Sequence, residues 1–266
     1  MRAKEFFMPK KSLNARPAPD ASEAPSIDRI PDEIYETVVN AILDRALDPG
    51  TKLPEEVFCS HYGVSRTIVR VAIQRLQQDR LVDVQPYKGC FVVIPDLKEA
   101  RDIIAARKAI EPYIVRRLVE IATDKDVAAL KSHVDAEDAA YHRNDQREAL
   151  RLSGQFHILL SELADNGVLA VYLRNLICRS ALVIATYSDV TGCCKAHDHR
   201  NLVDLLMARD APAALKQMER HLDDIEHDLL QDKKPEEKPS LESVLVKYSK
   251  SVIPNAPKKK PVIVQG

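Results

Sequence analysis

Apolar residues recur along this chain first at helical spacing, then briefly at strand spacing, then at helical spacing again. Ile34, Val38 and Ile42 stand at four-residue steps until Asp48, Pro49 and Gly50 stop the run. Pro54 opens a second helix with Glu55 and Glu56 in its first turn, where the helix dipole favours anions; Phe58 and Tyr62 lie one turn apart and face the first helix. Gly63 supplies a turn, Ser65 an N-cap, and Val69, Ala72, Ile73 and Leu76 form the buried stripe of a third helix. Arg66, Thr67, Arg70 and Gln74 fall off that stripe and are left on its open face.

The spacing then changes. Residues 81–84 and 90–94 are two β-rich runs around the Pro- and Gly-containing stretch 85–89, which predicts a hairpin. Helical spacing resumes over 97–122, 124–144, 146–164, 167–188, 196–208 and 211–230, with Gly, Pro, Asn or Asp between the runs. The expected fold is mainly α: a winged helix-turn-helix domain over 28–95 with a small β-hairpin wing, then an all-α bundle of six to seven helices over 96–231. Residues 1–27 and 232–266 lack a periodic apolar face and are expected to be a disordered arm and a disordered tail.

Composition narrows the function. A formal net charge of -1 excludes a general polyanion-coating protein, and from residue 30 to 95 Lys and Arg number 7 against 9 Asp and Glu. Any nucleic-acid contact must rest on where a few charges face. The 5 cysteines form no C-x-x-C pair, which suits reduced thiols in a cytoplasmic protein. No apolar run approaches a bilayer span and no signal-peptide core is present, so no membrane partner is expected.

A third helix with two arginines on its open face, behind a short second helix and before a hairpin, is the order of a DNA-binding winged domain. The run G-T-K-L-P-E-E-V-F-C-S-H-Y-G-V-S-R-T-I-V-R, followed by the hairpin with Gly89, resembles the winged domain of GntR-type bacterial transcription regulators. The resemblance implies DNA contacts by Arg66 and Arg70, with Ser65, Thr67 and the wing residues Lys88 and Gly89 beside them. Arginines one turn apart reach the same stretch of major groove, where each can bond guanine O6 and N7. Arg80 stands where a helix-ending glycine is usual in the family, which puts the shape of the helix-to-wing turn in question.

His157, His199 and His221 resemble the metal-binding histidines of the FCD effector domain that follows the winged domain in the FadR subfamily of GntR regulators. His199 begins the motif H-R-N-L-V-D-L-L-M-A-R-D, and His221 follows after 22 residues (221 minus 199). Ser153 replaces the acidic ligand of the family, leaving three imidazoles for a divalent metal such as zinc, or a metal-free pocket that binds an anion directly. Arg107, in A-A-R-K-A-I-E, matches a family arginine of the effector cavity and suits a small carboxylate; Asn175 and Arg179 are further pocket candidates.

Two functions follow from these readings. One is a transcription regulator of a metabolic operon, a repressor in preference to an activator, binding a palindromic double-stranded operator as a homodimer and answering to a small organic acid. The other is a hydrolase or hydratase with a three-histidine metal, for which no H-E-x-x-H motif and no placed general base is found.

Overall fold

The computed structural model describes residues 27–187, 196–228 and 241–249. The expected arm up to residue 26, Cys193 and Cys194, and most of the expected tail lie outside them.

Helix α1 (Ile30–Leu43) accepts Pro31 in its first turn, where a missing N–H leaves no bond unmade, and buries Ile34, Val38 and Ile42. Helix α2 (Glu55–Tyr62) lays Phe58 and Tyr62 on it, and the Tyr62 and Thr37 hydroxyls share a hydrogen bond of 3.0 Å. Helix α3 (Arg66–Gln78) buries Val69, Ala72, Ile73 and Leu76. Ser65 stands at its N-cap, but its hydroxyl makes no capping bond. Its carbonyl instead accepts from Ile68 N at 3.1 Å and Val69 N at 3.3 Å, so backbone bonds hold the helix start. Strands β1 (Val82–Gln85) and β2 (Gly89–Val92) pair antiparallel, Val82 opposite Val92. The segment after α1 adds a third edge to this wing, Gly50 N donating to Val92 O and Leu53 N to Cys90 O.

Six long helices follow: α4 (Leu97–Ile121), α5 (Asp124–His142), α6 (Gln146–Leu163), α7 (Gly167–Tyr187), α8 (Ala196–Met207) and α9 (Ala211–Asp228). Asp96 caps α4 by accepting from Glu99 N, and Thr123 with Asp126 forms a reciprocal capping box on α5. Helix α4 packs on α7 and α9, α5 on α6 and α8, and α6 on α7. The buried apolar residues from Ile30 to Val244 include one cluster that runs through both the winged domain and the bundle. Gly154 lies where α6 meets α7 and α1: a Cβ there would sit 3.3 Å from Ile177 of α7 and 3.8 Å from Leu43 of α1.

Two expectations are corrected. Residues 241–248, assigned to a disordered tail, form α10 (Leu241–Tyr248), which packs on α1 and α2. Its apolar positions find a partner surface that the local sequence does not reveal. Helix α7 does reach the length and composition of a bilayer span, with mean hydropathy 1.7 over its most apolar window. Leu173, Ile177, Leu182 and Val183 are nevertheless buried within the protein, because α7 is the central helix packed on α1, α4 and α6.

Helix α2 closes on Gly63 at φ 66°, but several other helices close without glycine, of which the whole chain has 7. Leu81 N donates to Leu76 O and Arg80 N to Gln77 O, the paired bonds of a Schellman closure, with Arg80 at φ 56°. The same pairing closes α1 at Arg45, α5 at Asn144 and α8 at Arg209, all with positive φ. Arg80 thus takes the glycine's left-handed conformation with a side chain attached, and the turn into the wing keeps the expected shape. Arg80→Gly relieves that strain and is expected to stabilise the protein by about 0.5–1 kcal/mol. A thermal melt would show this as a higher Tm; a lower one would contradict it.

Candidate functional site

The exposed face of α3 carries Arg66, Thr67 and Arg70, preceded by exposed Ser65. Lys88 and Gly89 lie at the wing turn, where Tyr87 (φ 62°) and Gly89 (φ 109°) bend the chain back. A cleft of about 260 Å³ between this helix and the wing is lined by Arg66, Lys52, Tyr87, Lys88, Glu55 and Glu56, among others. Arg70 is not solitary: its Nε donates to both carboxylate oxygens of Glu55, at 2.9 and 3.1 Å. Glu55 opens α2, where the helix dipole steadies its charge. The pair directs Arg70 Nε inward and leaves the terminal nitrogens for an outside partner.

The second site lies inside the bundle. Helices α6, α8 and α9 bring His157, His199 and His221 together, each nearly fully buried. His221 Nε2 stands 3.2 Å from His157 Nε2 and 3.3 Å from His199 Nε2. Behind the rings are carboxylates: Glu111 of α4 lies 2.5 Å from His157 Nδ1, Glu137 of α5 2.8 Å from His199 Nδ1, and Asp198 of α8 3.7 Å from His221 Nδ1. A carboxylate only accepts, so His157 and His199 carry their proton on Nδ1 and turn a bare Nε2 lone pair inward. Burial holds His157 down to about 4, although Glu111 opposes the shift, and holds His221 down to about 3. Phe156 stacks on the His199 ring at 4.3 Å and closes one side.

These facts test whether a metal fits. The bare Nε2 atoms of His157 and His199 both face His221 Nε2 at hydrogen-bond distance, and a cation can take the place of a proton between them. Tetrahedral zinc with Zn–N of about 2.0–2.1 Å requires nitrogens about 3.3 Å apart; the two separations from His221 match, and all three ligand nitrogens lie within 4.8 Å of one another. Carboxylates on Nδ1 are the usual second layer behind metal-bound imidazoles. Arg107 balances Glu111 and the more exposed Arg220 pairs with buried Asp198, which leaves the Glu137 charge for a cation to balance. The three histidines fit a divalent metal.

Arg107 is buried beside them. Its Nε donates to Glu111 at 2.6 Å, and its Nη2 is buried without a hydrogen-bond partner. Its charge helps to lower the pKa of both His157 and His221. Burial would raise the Glu111 carboxyl, but Arg107 and His157 together hold it well below the usual range. Ser153 is buried one turn before His157.

Asn175 and Arg179 belong elsewhere. Asn175 Nδ2 donates to the carbonyl of Asp79, the C-cap of α3, and Arg179 binds Glu99 in the first turn of α4. Glu99 lies twelve residues, about 18 Å of helix, from Glu111. Asn175 joins the bundle to the winged domain, and Arg179 joins α7 to the start of α4 within the bundle. The residues that sequence reasoning missed are Glu111, Glu137 and Asp198. Glu137 had a signal, a carboxylate in line with Leu130 and Val134 on the buried stripe of α5, and Glu111 stands one turn from Arg107.

Family models match two segments of the chain: residues 31–92 fit "Bacterial regulatory proteins, gntR family" and residues 102–224 fit "FCD domain". An HTH-type transcriptional regulator in the TAR-I ttuE-ttuC' intergenic region of Agrobacterium vitis is 31% identical over 126 residues, 46% of this chain and 74% of that one. The HTH-type transcriptional repressor RspR of Escherichia coli K12 is 25% identical over 203 residues, 75% of this chain and 88% of the relative. Among solved structures, a GntR transcriptional regulator from Rhodococcus sp. RHA1 superposes with TM-score 0.67 at 25% identity, covering 75% of this chain and 96% of that one.

The buried neutral histidines fix a pH dependence for the metal-free protein. The unfolded chain binds protons on these rings near the ordinary value of 6.5, whereas the folded chain holds His157 to about 4 and His221 to about 3. Between those values the unfolded state binds more protons, so stability falls as pH falls from 6.5 towards 4. Denaturant midpoints measured with a chelator should drop across that window, and His157→Gln with His221→Gln should flatten the drop. An equal slope in the double variant would refute the assignment.

Proposed function

The chain belongs to the gntR family of bacterial regulatory proteins and carries an FCD domain, and on that premise we propose that it is a cytoplasmic regulator of the FadR subfamily, repressing a metabolic operon. It is a DNA-binding transcription regulator and not an enzyme. The three-histidine hydrolase is therefore set aside. The observation that carries the DNA reading is the pair Arg66 and Arg70, exposed one turn apart on a helix that ends in a wing. In the proposed complex a homodimer lays two α3 helices in successive major grooves of a palindromic operator, while Lys88 and Gly89 reach the flanking backbone. The repressor sign is supported by the relative named a repressor.

For the effector domain the reading is a divalent metal held by His157, His199 and His221, with a small organic acid beside it. A bound metal would supply a Lewis-acid positive charge and an open position for an anionic group. Arg107 is supported as the second anchor by its buried, unpartnered Nη2, which a carboxylate oxygen would satisfy. Glu111 orients both Arg107 and His157, so the two anchors move as one unit. Regulation requires the acid to bind the two settings of the winged domains with different affinity.

A duplex selected on the full chain from a randomised library provides the DNA probe. Arg66→Ala and Arg70→Ala should each weaken it by about 1–3 kcal/mol in an anisotropy titration; undiminished affinity in both would sink the DNA reading. For the metal, elemental analysis after zinc loading and dialysis should find zinc retained by the chain and lost in His199→Ala, with Glu137→Gln about 10- to 100-fold weaker. Equal zinc content in all three would remove the metal reading. A thermal-shift screen of organic acids, with and without zinc, then identifies the effector class by the rise in Tm.

A further inference from the structure

Helix α10 lies outside both segments that the family models match. Its sequence is amphipathic: Leu241, Val244, Leu245 and Tyr248 share one face at i, i+3, i+4 and i+7, while Val246 on the other face is exposed. Leu241, Val244 and Leu245 are buried, and the surface they cover is α1 and α2 of the winged domain, although α10 follows the bundle in the chain.

Polar contacts fix the register of this docking. The Tyr248 hydroxyl donates to the carboxylate of Asp44, the C-cap of α1, and Ser249 Oγ shares a hydrogen bond with His61 Nε2 at the end of α2. Asp44 also faces the bundle, with Arg151 Nε of α6 3.6 Å from its Oδ1. One half-buried carboxylate is therefore gripped by three bodies: its own helix in the winged domain, an arginine of the bundle and a tyrosine of α10. Burial raises the Tyr248 hydroxyl, and its bond to Asp44 raises it further, which keeps it a donor at neutral pH.

We propose that α10 is an intramolecular brace, which returns from the bundle to clamp α1 and α2 and holds the winged domain in one setting against α6. A rotation of the winged domain must break the Asp44 contacts with Arg151 and Tyr248 or carry α10 with it. Asp44 is thus the point at which α10, α1 and α6 meet.

Hydrogen exchange read by mass spectrometry on the full chain tests this. Leu245→Asp removes the apolar docking and should speed exchange in α1 and α2 about tenfold, leaving α5 and α8 unchanged. Tyr248→Phe keeps the apolar face and loses only the Asp44 bond; about two- to threefold faster exchange is expected in the last turn of α1. Arg151→Met, on the bundle side, should speed the same amides. Unchanged exchange in α1 and α2 for Leu245→Asp, or an effect confined to α10, overturns the brace. Should Leu245→Asp unfold the whole protein, Tyr248→Phe decides alone, and an unaltered last turn of α1 overturns it.

Discussion

Two bare imidazole nitrogens that face a third histidine inside an apolar bundle are a costly arrangement, and the architecture of the second domain follows from keeping it. Each ring needs a partner on its outer nitrogen, and those partners come from three different helices: Glu111 of α4, Glu137 of α5 and Asp198 of α8. Each carboxylate in turn needs a counter-charge, which Arg107 supplies to Glu111 and Arg220 to Asp198. Five of the six bundle helices thus meet at one polar centre enclosed by leucines, isoleucines and Phe156. Such a network is favourable only when every member is satisfied. The unpartnered Arg107 Nη2 is where it remains open to a guest.

The winged domain shares the bundle's apolar core, so the centre and the DNA face are mechanically joined. The joint holds the recognition helix by its end. Asp79, the C-cap of α3, accepts at its carboxylate from the Tyr35 hydroxyl and at its carbonyl from Asn175 of α7. Arg174, one residue away, binds Glu36 of α1. Helix α7 therefore touches both α1 and the end of α3, and Gly154 lets α6 close on α7 and α1 without a side chain between them. Close-packed surfaces of this kind can shift only as units, so α1, the end of α3 and α7 form one packed joint.

Much of this was legible in the residues. The order of elements, the buried stripe of α3 and the meeting of three histidines all follow from spacing or from a family pattern in which the spacing is kept. What escaped has physical causes. Helix ends were hard to place because Arg45, Arg80, Asn144 and Arg209 do the work usually signalled by glycine. The buried stripe of α5 marks Glu137 as an inward carboxylate, but its partner was hidden because the hydrogen bond to α8 spans 62 residues of chain, and no local pattern encodes it. Asn175 and Arg179 sit at correct helical spacing, but which neighbour a helix face meets is a tertiary fact, and they met Asp79 of the winged domain and Glu99 of α4. The α10 segment failed for the same reason: eight residues show amphipathicity, but not the surface that receives it.

The Glu55–Arg70 pair bears on how such a protein distributes itself over a genome. Random DNA offers mostly phosphate charge, and attraction to it scales with the free cations a domain presents. Here one recognition arginine already has an anion, and its domain carries more acidic than basic residues. Leaving Glu55 for a phosphate exchanges one carboxylate-like partner for another and gains little. Engaging a guanine edge with the terminal nitrogens, while Glu55 keeps Nε, adds bonds without giving any up. Under the proposed operator contacts, the genomic background is then a shallow sink.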